Sequence, residues 1–465
     1  MKKNIRKNSK SNTNIDKLEV TKDILTGRAG LTFFVRYLGT IGILCRLEEL
    51  FGKFRKSNKG QAIAEIFKQL FCFFMDGTSR HLVYFDKLKA DEGYAGCIET
   101  DPGRMLSSHA VKRFFKPMNI VVRYAFRKVL MELFLWRLHL VKPEVIELGL
   151  DSMVMDNDEA LKRHGVKPTY KKVKGYQPIQ MTWSRFIIDA IFRSGDRHCN
   201  HADQTGEMIE RIVSAIRSRY RADVAIIIRM DSGYFDQQLF DFLEKIHVGY
   251  ICGGKLYDDV KAYVKDSDRS FRGRHKNKDQ VWEYMEMGDR RGSWKKFRKA
   301  FYCRPLYEDR QLVFEFQRPD TMIYTNLGVD PVVAEGLFSC GRQDLMKPEA
   351  IIAGYHERGG DELVHRAFKD FGFEELPFEG FGRNNAFYYT MLVAFFLYEA
   401  FKEDVCSEVV PVGAYATTLR RKIIDFAAKI VSHSGYIALK VNRAVLESLK
   451  LVTLWKKSVS SQPAY

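Results

Sequence analysis

Two short apolar runs that each close on an aspartate constrain this chain most: Val145-Ile-Glu-Leu-Gly-Leu-Asp151 and Ala225-Ile-Ile-Ile-Arg-Met-Asp231. Runs this short and this rich in branched residues read as buried strands. Between them the pattern gives paired strands over Pro178–Trp183 and Phe186–Phe192 and a helix over Met208–Tyr220. Alternation of this kind predicts an open α/β sheet, whose chemistry sits at the carboxyl ends of its strands. Asp151 and Asp231 occupy such ends. Taken singly, an aspartate at a strand end is more often a loop acceptor or the cap of a following helix. Asp236, ahead of a helical stretch, is a natural cap in its own right.

A second pattern lies downstream. Tyr355, Arg358, Glu362 and Lys369 are spaced so that, at about 100° per residue, all four fall within roughly 60° of a helix circumference. A carboxylate flanked by two cations and a phenol is a poor core face and a plausible clamp for a metal ion and a phosphodiester, although a solvated face of paired charges has the same composition. Glu357 and Asp361 point away from the stripe on an unbroken helix. Gly359 and Gly360 interrupt it, at about 1 kcal/mol each relative to alanine, and predict a bend or a late helix start. Two strand-end carboxylates and one from a helix can hold two divalent cations about 4 Å apart, activating an attacking oxygen and stabilising a leaving one. Oxygen ligands of this kind suit Mg2+ or Mn2+.

With these residues in view, the chain resembles the DDE insertion-sequence transposases with an RNase H-like core, in the branch carrying a Tyr-Arg-Glu-Lys signature and specifically of the insertion-sequence family thirteen-eighty type. The resemblance runs from about Leu25 to about Leu439, through Leu25-Thr-Gly-Arg-Ala-Gly, Asp151-Ser, Arg229-Met-Asp-Ser-Gly-Tyr and the Tyr355 to Lys369 segment. It departs from the wider branch at Gly359-Gly360-Asp361, where a Trp after the Arg and an apolar residue before the Glu are usual. The resemblance implies that Asp151, Asp231 and Glu362 form a catalytic triad binding two Mg2+ or Mn2+ ions. Tyr355, Arg358 and Lys369 then contact DNA near the cut. It also implies hydrolysis at the element's ends, strand transfer of the 3′-hydroxyl into target DNA, and a homodimer on double-stranded DNA that pairs the terminal inverted repeats. A catalytically idle DNA-binding protein of the same fold, acting as repressor or architectural factor, and an RNase H-like nuclease without strand transfer are the competing functions.

The resulting expectation is an α/β chain whose RNase H-like core, a mixed sheet flanked by helices, is interrupted by a β-rich insertion and preceded by a helical DNA-binding domain. The expected parts are a basic disordered tail (1–25), a helical DNA-end-binding domain (26–140), the core's first part (141–257), the insertion (258–334), the core's second part (335–405) and a C-terminal helical region for dimer or DNA contact (406–465). Within the helical domain, Met105 to Lys116 reads as a capped basic helix projecting Lys112 and Arg113, either into a major groove or simply into solvent. The insertion interleaves basic and aromatic residues, a composition that suits distorted DNA with a flipped base. Related transposases use such an insertion to hold a hairpin end. Trp294 is the first candidate for base stacking and Trp282 the second, with burial in a β-rich core as the alternative for both. Strands are expected at Phe301–Leu306, Gln311–Phe316 and Met322–Asn326, and an amphipathic helix at Leu419–Val431, followed by a strand at Tyr436–Val441.

Composition is compatible with this reading. A formal charge of +17 favours a polyanionic partner. The eight cysteines are scattered with no Cys-x2-Cys pair, which argues against a zinc ribbon or a disulfide framework and for a reducing cytoplasm, nucleoid-associated in a prokaryote. Asp196-Arg-His-Cys-Asn-His201 lacks the spacing and fourth ligand of a zinc site and reads as a polar loop. The basic N-terminus has no apolar core of a secretory signal. The most apolar stretch, Ala386–Phe401, is too short for a membrane span and predicts a buried helix, so no membrane partner is expected.

Overall fold

The computed structural model describes residues 15, 17–54, 60–160, 162–197, 202–267, 272–277, 280–308, 311–312 and 320–465. A short strand, β1 (Ile24–Thr26), leads into α1 (Leu31–Thr40), α2 (Ile43–Gly52), α3 (Ile63–Asp76), α4 (Tyr84–Lys89), α5 (Glu92–Cys97), α6 (Ser108–Phe115) and α7 (Arg123–Val141). Local chemistry sets several of these boundaries. The Asp91 side chain accepts from the Tyr94 amide to start α5, and the Ser107 side chain from the Ala110 amide to start α6. Gly77 stops α3 in the left-handed region (φ 62°), its amide bonding to Phe73 O. From Ile66 to Asp76, α3 is buried on every face, so it forms the centre of the helical layer rather than one side of it.

The chain then builds a large mixed sheet. β2 (Val145–Ser152) is followed by the short β3 (Met155–Asp156), β4 (Lys167–Pro168) and β5 (Lys174–Tyr176), then β6 (Ile179–Trp183), β7 (Phe186–Ile191), α8 (Ala202–Arg219), β8 (Ala225–Met230), α9 (Gln237–Lys245), β9 (Gly249–Gly254) and α10 (Asp258–Asp266). Beyond these come β10 (Arg272–Asn277), β11 (Gln280–Asp289), β12 (Arg298–Glu308), β13 (Gln311–Leu312) and β14 (Thr321–Thr325). The main sheet runs β10-β11-β12-β14-β9-β8-β2-β6-β7, with β13 pairing β12. β2, β8 and β9 are mutually parallel, whereas β6 and β7 are antiparallel neighbours. This is a mixed α/β arrangement built on one large mixed sheet. The strands from 272 to 325 continue the same sheet, since β14 pairs with β9 at Ile323↔Gly253. A separate three-stranded sheet, β3-β5-β4, stands beside the end of β2.

The C-terminal part comprises α11 (Pro331–Ser339), α12 (Pro348–His356), α13 (Gly359–Phe371), α14 (Phe381–Asp404), α15 (Ala416–Leu419), β15 (Ala428–His433), β16 (Tyr436–Val441), α16 (Arg443–Ser448) and α17 (Leu451–Ser460). α14 is buried from Asn384 to Lys402 and ties the layers together. Its Phe387 meets Phe74 of α3 and Phe115 of α6, while its Phe396 meets Phe186 of β7. Its Glu399 is paired with Lys402 at 2.8 Å, and no helix among the described residues is long and apolar enough to cross a membrane. The helix expected over Leu419–Val431 ends in a π-helical turn at Arg420–Ile424. The remainder becomes β15, which pairs with β1 and β16.

Candidate active site

The parallel register of β2 and β8 aligns Leu150 with Met230, so the residues that follow, Asp151 and Asp231, emerge side by side at the carboxyl ends of adjacent strands. Asp151 still belongs to β2, pairing with Gln180 of β6, and its Oδ1 accepts from the Ser152 amide at 2.7 Å. Asp231 leaves its strand and caps a 3-10 turn over Ser232–Tyr234, Oδ1 accepting from the Gly233 amide at 2.9 Å. The cap engages one oxygen of Asp231 and is compatible with ligand binding by the carboxylate. Asp236 caps α9 separately, accepting from the Leu239 amide at 3.0 Å.

The Tyr355 to Lys369 segment is two helices rather than one. α12 ends at His356, and Arg358 and Gly360 donate back to Tyr355 O (3.3 Å) and Glu357 O (2.8 Å) in a tight turn before α13. This is the bend that Gly359 and Gly360 predict. The Tyr355 hydroxyl lies over Gly253 of β9, beside the amide of Ser232: a Cβ placed on Gly253 would stand 2.5 Å from that hydroxyl and 2.9 Å from that amide. The Arg358 guanidinium is 3.9 Å from Asp151 Oδ2 and 5.8 Å from the Tyr355 ring centroid. Burial raises the Tyr355 hydroxyl above its ordinary range, which keeps it a proton donor.

His365, not singled out from sequence, lies on α13 with Nδ1 3.8 Å from Asp151 Oδ2. It is 8% exposed. Burial, then the charges of Lys369, Lys171 and Arg358, push its imidazole down to about 4, so it is neutral at physiological pH and does not form an ion pair with Asp151. Its only sequence signal is its place three residues after Glu362, on one helix face. Cys252 donates its thiol to Asp231 O at 3.4 Å. Burial, reinforced by the Asp231 charge, holds that thiol well above its ordinary range.

Asp151, Asp231, Tyr355 and Arg358 are thus gathered at one end of the sheet. Glu362 is exposed on α13, and no group of three or more His, Cys, Asp or Glu side chains among the described residues is arranged to hold a metal ion. The hard carboxylates of Asp151 and Asp231 suit a divalent cation; a third from Glu362 requires its side chain to turn inward. Lys369 is paired with Glu374 at 2.7 Å. Trp294 is 7% exposed and packed among Phe235, Phe240 and Tyr324, with the Arg298 guanidinium 4.7 Å from its ring centroid. It fills the space between α9 and the sheet, where no base can reach it without opening the cluster. Trp282 is 3% exposed, stacked between His275 and His356. Lys112 and Arg113 are exposed on α6, with Val111 and Phe115 turned inward. The His198–His201 part of the possible zinc cluster lies outside the described residues, as do residues 1–14.

The chain matches the family described as transposase DDE domain, group 1, over residues 10–457. Among solved structures it is similar to a piggyBac transposase synaptic complex with hairpin DNA, at 12% identity, covering 85% of this chain and 79% of that one with a TM-score of 0.39. No curated protein matches it. With the family match spanning nearly the whole sequence, the chain belongs to the DDE-domain transposases of group 1.

Proposed function

We propose that the protein is a DNA transposase that hydrolyses a phosphodiester at each end of an insertion sequence, of the Tyr-Arg-Glu-Lys type, and joins the freed 3′-hydroxyl to target DNA. The observation that carries this reading is the register placing Asp151 and Asp231 together at adjacent strand ends, with Arg358 turned toward Asp151. Asp151 and Asp231 would hold divalent cations, Mg2+ or Mn2+, and Glu362 would join them with DNA in place. Such ions lower the pKa of an attacking oxygen and stabilise a leaving one. The chain's own groups orient the substrate. Arg358 neutralises a phosphate laid against the aspartates, Tyr355 donates its hydroxyl beside the Ser232 amide, and Lys369 exchanges Glu374 for a phosphate. Water attacks phosphorus and the departing 3′ oxygen takes a proton. That 3′-hydroxyl then attacks a phosphodiester of the target, displacing its 3′ oxygen, so the transfer step breaks one phosphodiester and forms another, and no covalent enzyme intermediate is needed. Lys112 and Arg113, exposed on α6, provide a further duplex contact, and a homodimer would bring the two terminal repeats together.

Replacing Asp231 by Asn keeps the cap to Gly233 and removes the charge. The expected result is loss of strand cleavage by at least about a hundredfold with binding to the element's ends retained; undiminished cleavage would refute the assignment. The exposed position of Glu362 favours one second reading, a protein that binds DNA through this fold without cutting it. Binding with no cleavage by wild type under any divalent cation would establish that alternative.

A further inference from the structure

A second basic element follows Asp151 in the chain. The small sheet β3-β5-β4 follows β2 directly and is tied to the segment after α13: Glu374 accepts from the Asp156 amide at 3.2 Å while pairing with Lys369, and Asn157 both donates to Glu374 O (2.8 Å) and accepts from the Leu376 amide (3.0 Å). The β4–β5 turn that tips this sheet is braced internally. The Thr169 amide and hydroxyl both donate to Val173 O, at 2.9 and 2.8 Å, and the Lys172 amide donates to Thr169 O at 3.0 Å. Lys172 takes a left-handed backbone (φ 63°), uncommon for a lysine. At the tip Tyr170 is 61% exposed, with the Lys171 ammonium 5.8 Å from its ring centroid, and Lys171 and Lys172 both face solvent. Asp158 accepts from the Lys174 amide and Asp156 from the Asp158 amide, and among the described residues neither is ion-paired with Lys171 or Lys172.

A braced turn that exposes a phenol and two ammonium groups contributes little to the core and matches what a nucleic-acid strand offers, phosphates beside an unstacked base. We infer that turn 169–173 grips the DNA strand being cut: Lys171 and Lys172 sit on its phosphates and Tyr170 stacks on a base next to the scissile bond. This rests on the transposase reading, and its test is built so that the two fail separately.

Binding is measured in an Asp231→Asn background, which prevents cutting, with a fluorescein-labelled duplex ending in a short single-stranded 3′ segment. A second copy of that duplex carries a fluorescent adenine analogue at the 3′ end. Lys171→Ala/Lys172→Ala is expected to reduce the slope of log affinity against log salt by about 1.4 to 1.8, from roughly 0.7 to 0.9 per phosphate contact. Tyr170→Ala is expected to weaken binding about tenfold and abolish quenching of the analogue, with Tyr170→Phe keeping both. Unfolding midpoints should match the parent, because all three side chains are exposed. An unchanged slope and unchanged quenching, with the parent still binding, overturn the inference alone. A parent that binds no duplex overturns the transposase reading and the grip with it.

Discussion

Gly253 carries a constraint out of proportion to its size. Its missing side chain is what lets the Tyr355 hydroxyl settle beside the Ser232 amide, one residue from Asp231. An alanine there must displace either a phenol or backbone, and overpacking of this kind costs roughly 1–3 kcal/mol. Gly253→Ala is therefore expected to lower the unfolding midpoint and to reduce cleavage at least about tenfold, while Tyr355→Phe, which keeps the ring, should retain the parent midpoint. Thermal unfolding and a single-turnover cleavage assay distinguish the two. Sequence alone brought out Asp151, Asp231, Tyr355 and Arg358, because strand ends and residue spacing are local properties. His365 and Gly253 became visible only when α13 and β9 came against the aspartates, contacts between distant parts of the chain that no local pattern encodes.

Elements were legible where one period dominates. The strand expected at Tyr436–Val441 is β16 without change of boundary, and those expected at Pro178–Trp183 and Phe186–Phe192 are β6 and β7 within a residue at one end. The hairpin of β10 and β11 was missed because its alternation is of charged and aromatic residues, which reads as solvated charge until Trp282 is found stacked on His356. At Leu419–Val431, the helical period lost to tertiary pairing: Ile430 lies opposite Ile24 of β1, and its side chain fills the space left by Gly96. α14 presents a different consequence of packing. Burial pushes Glu399 up to about 7, with Lys402 and Arg185 opposing. The folded chain therefore holds this proton more tightly than the unfolded chain, so the associated stability is present below the ordinary value of 4.5 and is lost as pH rises toward and through 7. Glu399→Gln should flatten that decline, by an order of 1–3 kcal/mol across the window, in denaturant titrations at pH 5 and pH 8.

For the molecule as a whole, the helical N-terminal part and the sheet share one continuous core through α3, α7 and α14, and the segment around 272–325 is built onto the sheet's edge rather than beside it. Neither arrangement follows from hydrophobic periodicity, which identifies faces without saying which faces meet. Charge is the global property that was legible. A chain of net +17 that holds DNA through several phosphates is expected to lose affinity steeply with salt, with a log–log slope near 0.9 per contact, measurable by fluorescence anisotropy. A flat salt dependence would mean that the excess charge lies away from the DNA path.

The central claim, that the strand-end aspartates and Glu362 together cut DNA, is tested most directly by magnesium-dependent cleavage of a duplex carrying the flanking ends of this gene's own element, comparing wild type with Glu362→Gln. The account predicts cutting at the element boundary by wild type and its loss in the variant, with binding preserved. Equal cutting by both would show that the exposed Glu362 never joins the aspartates, and would contradict the triad.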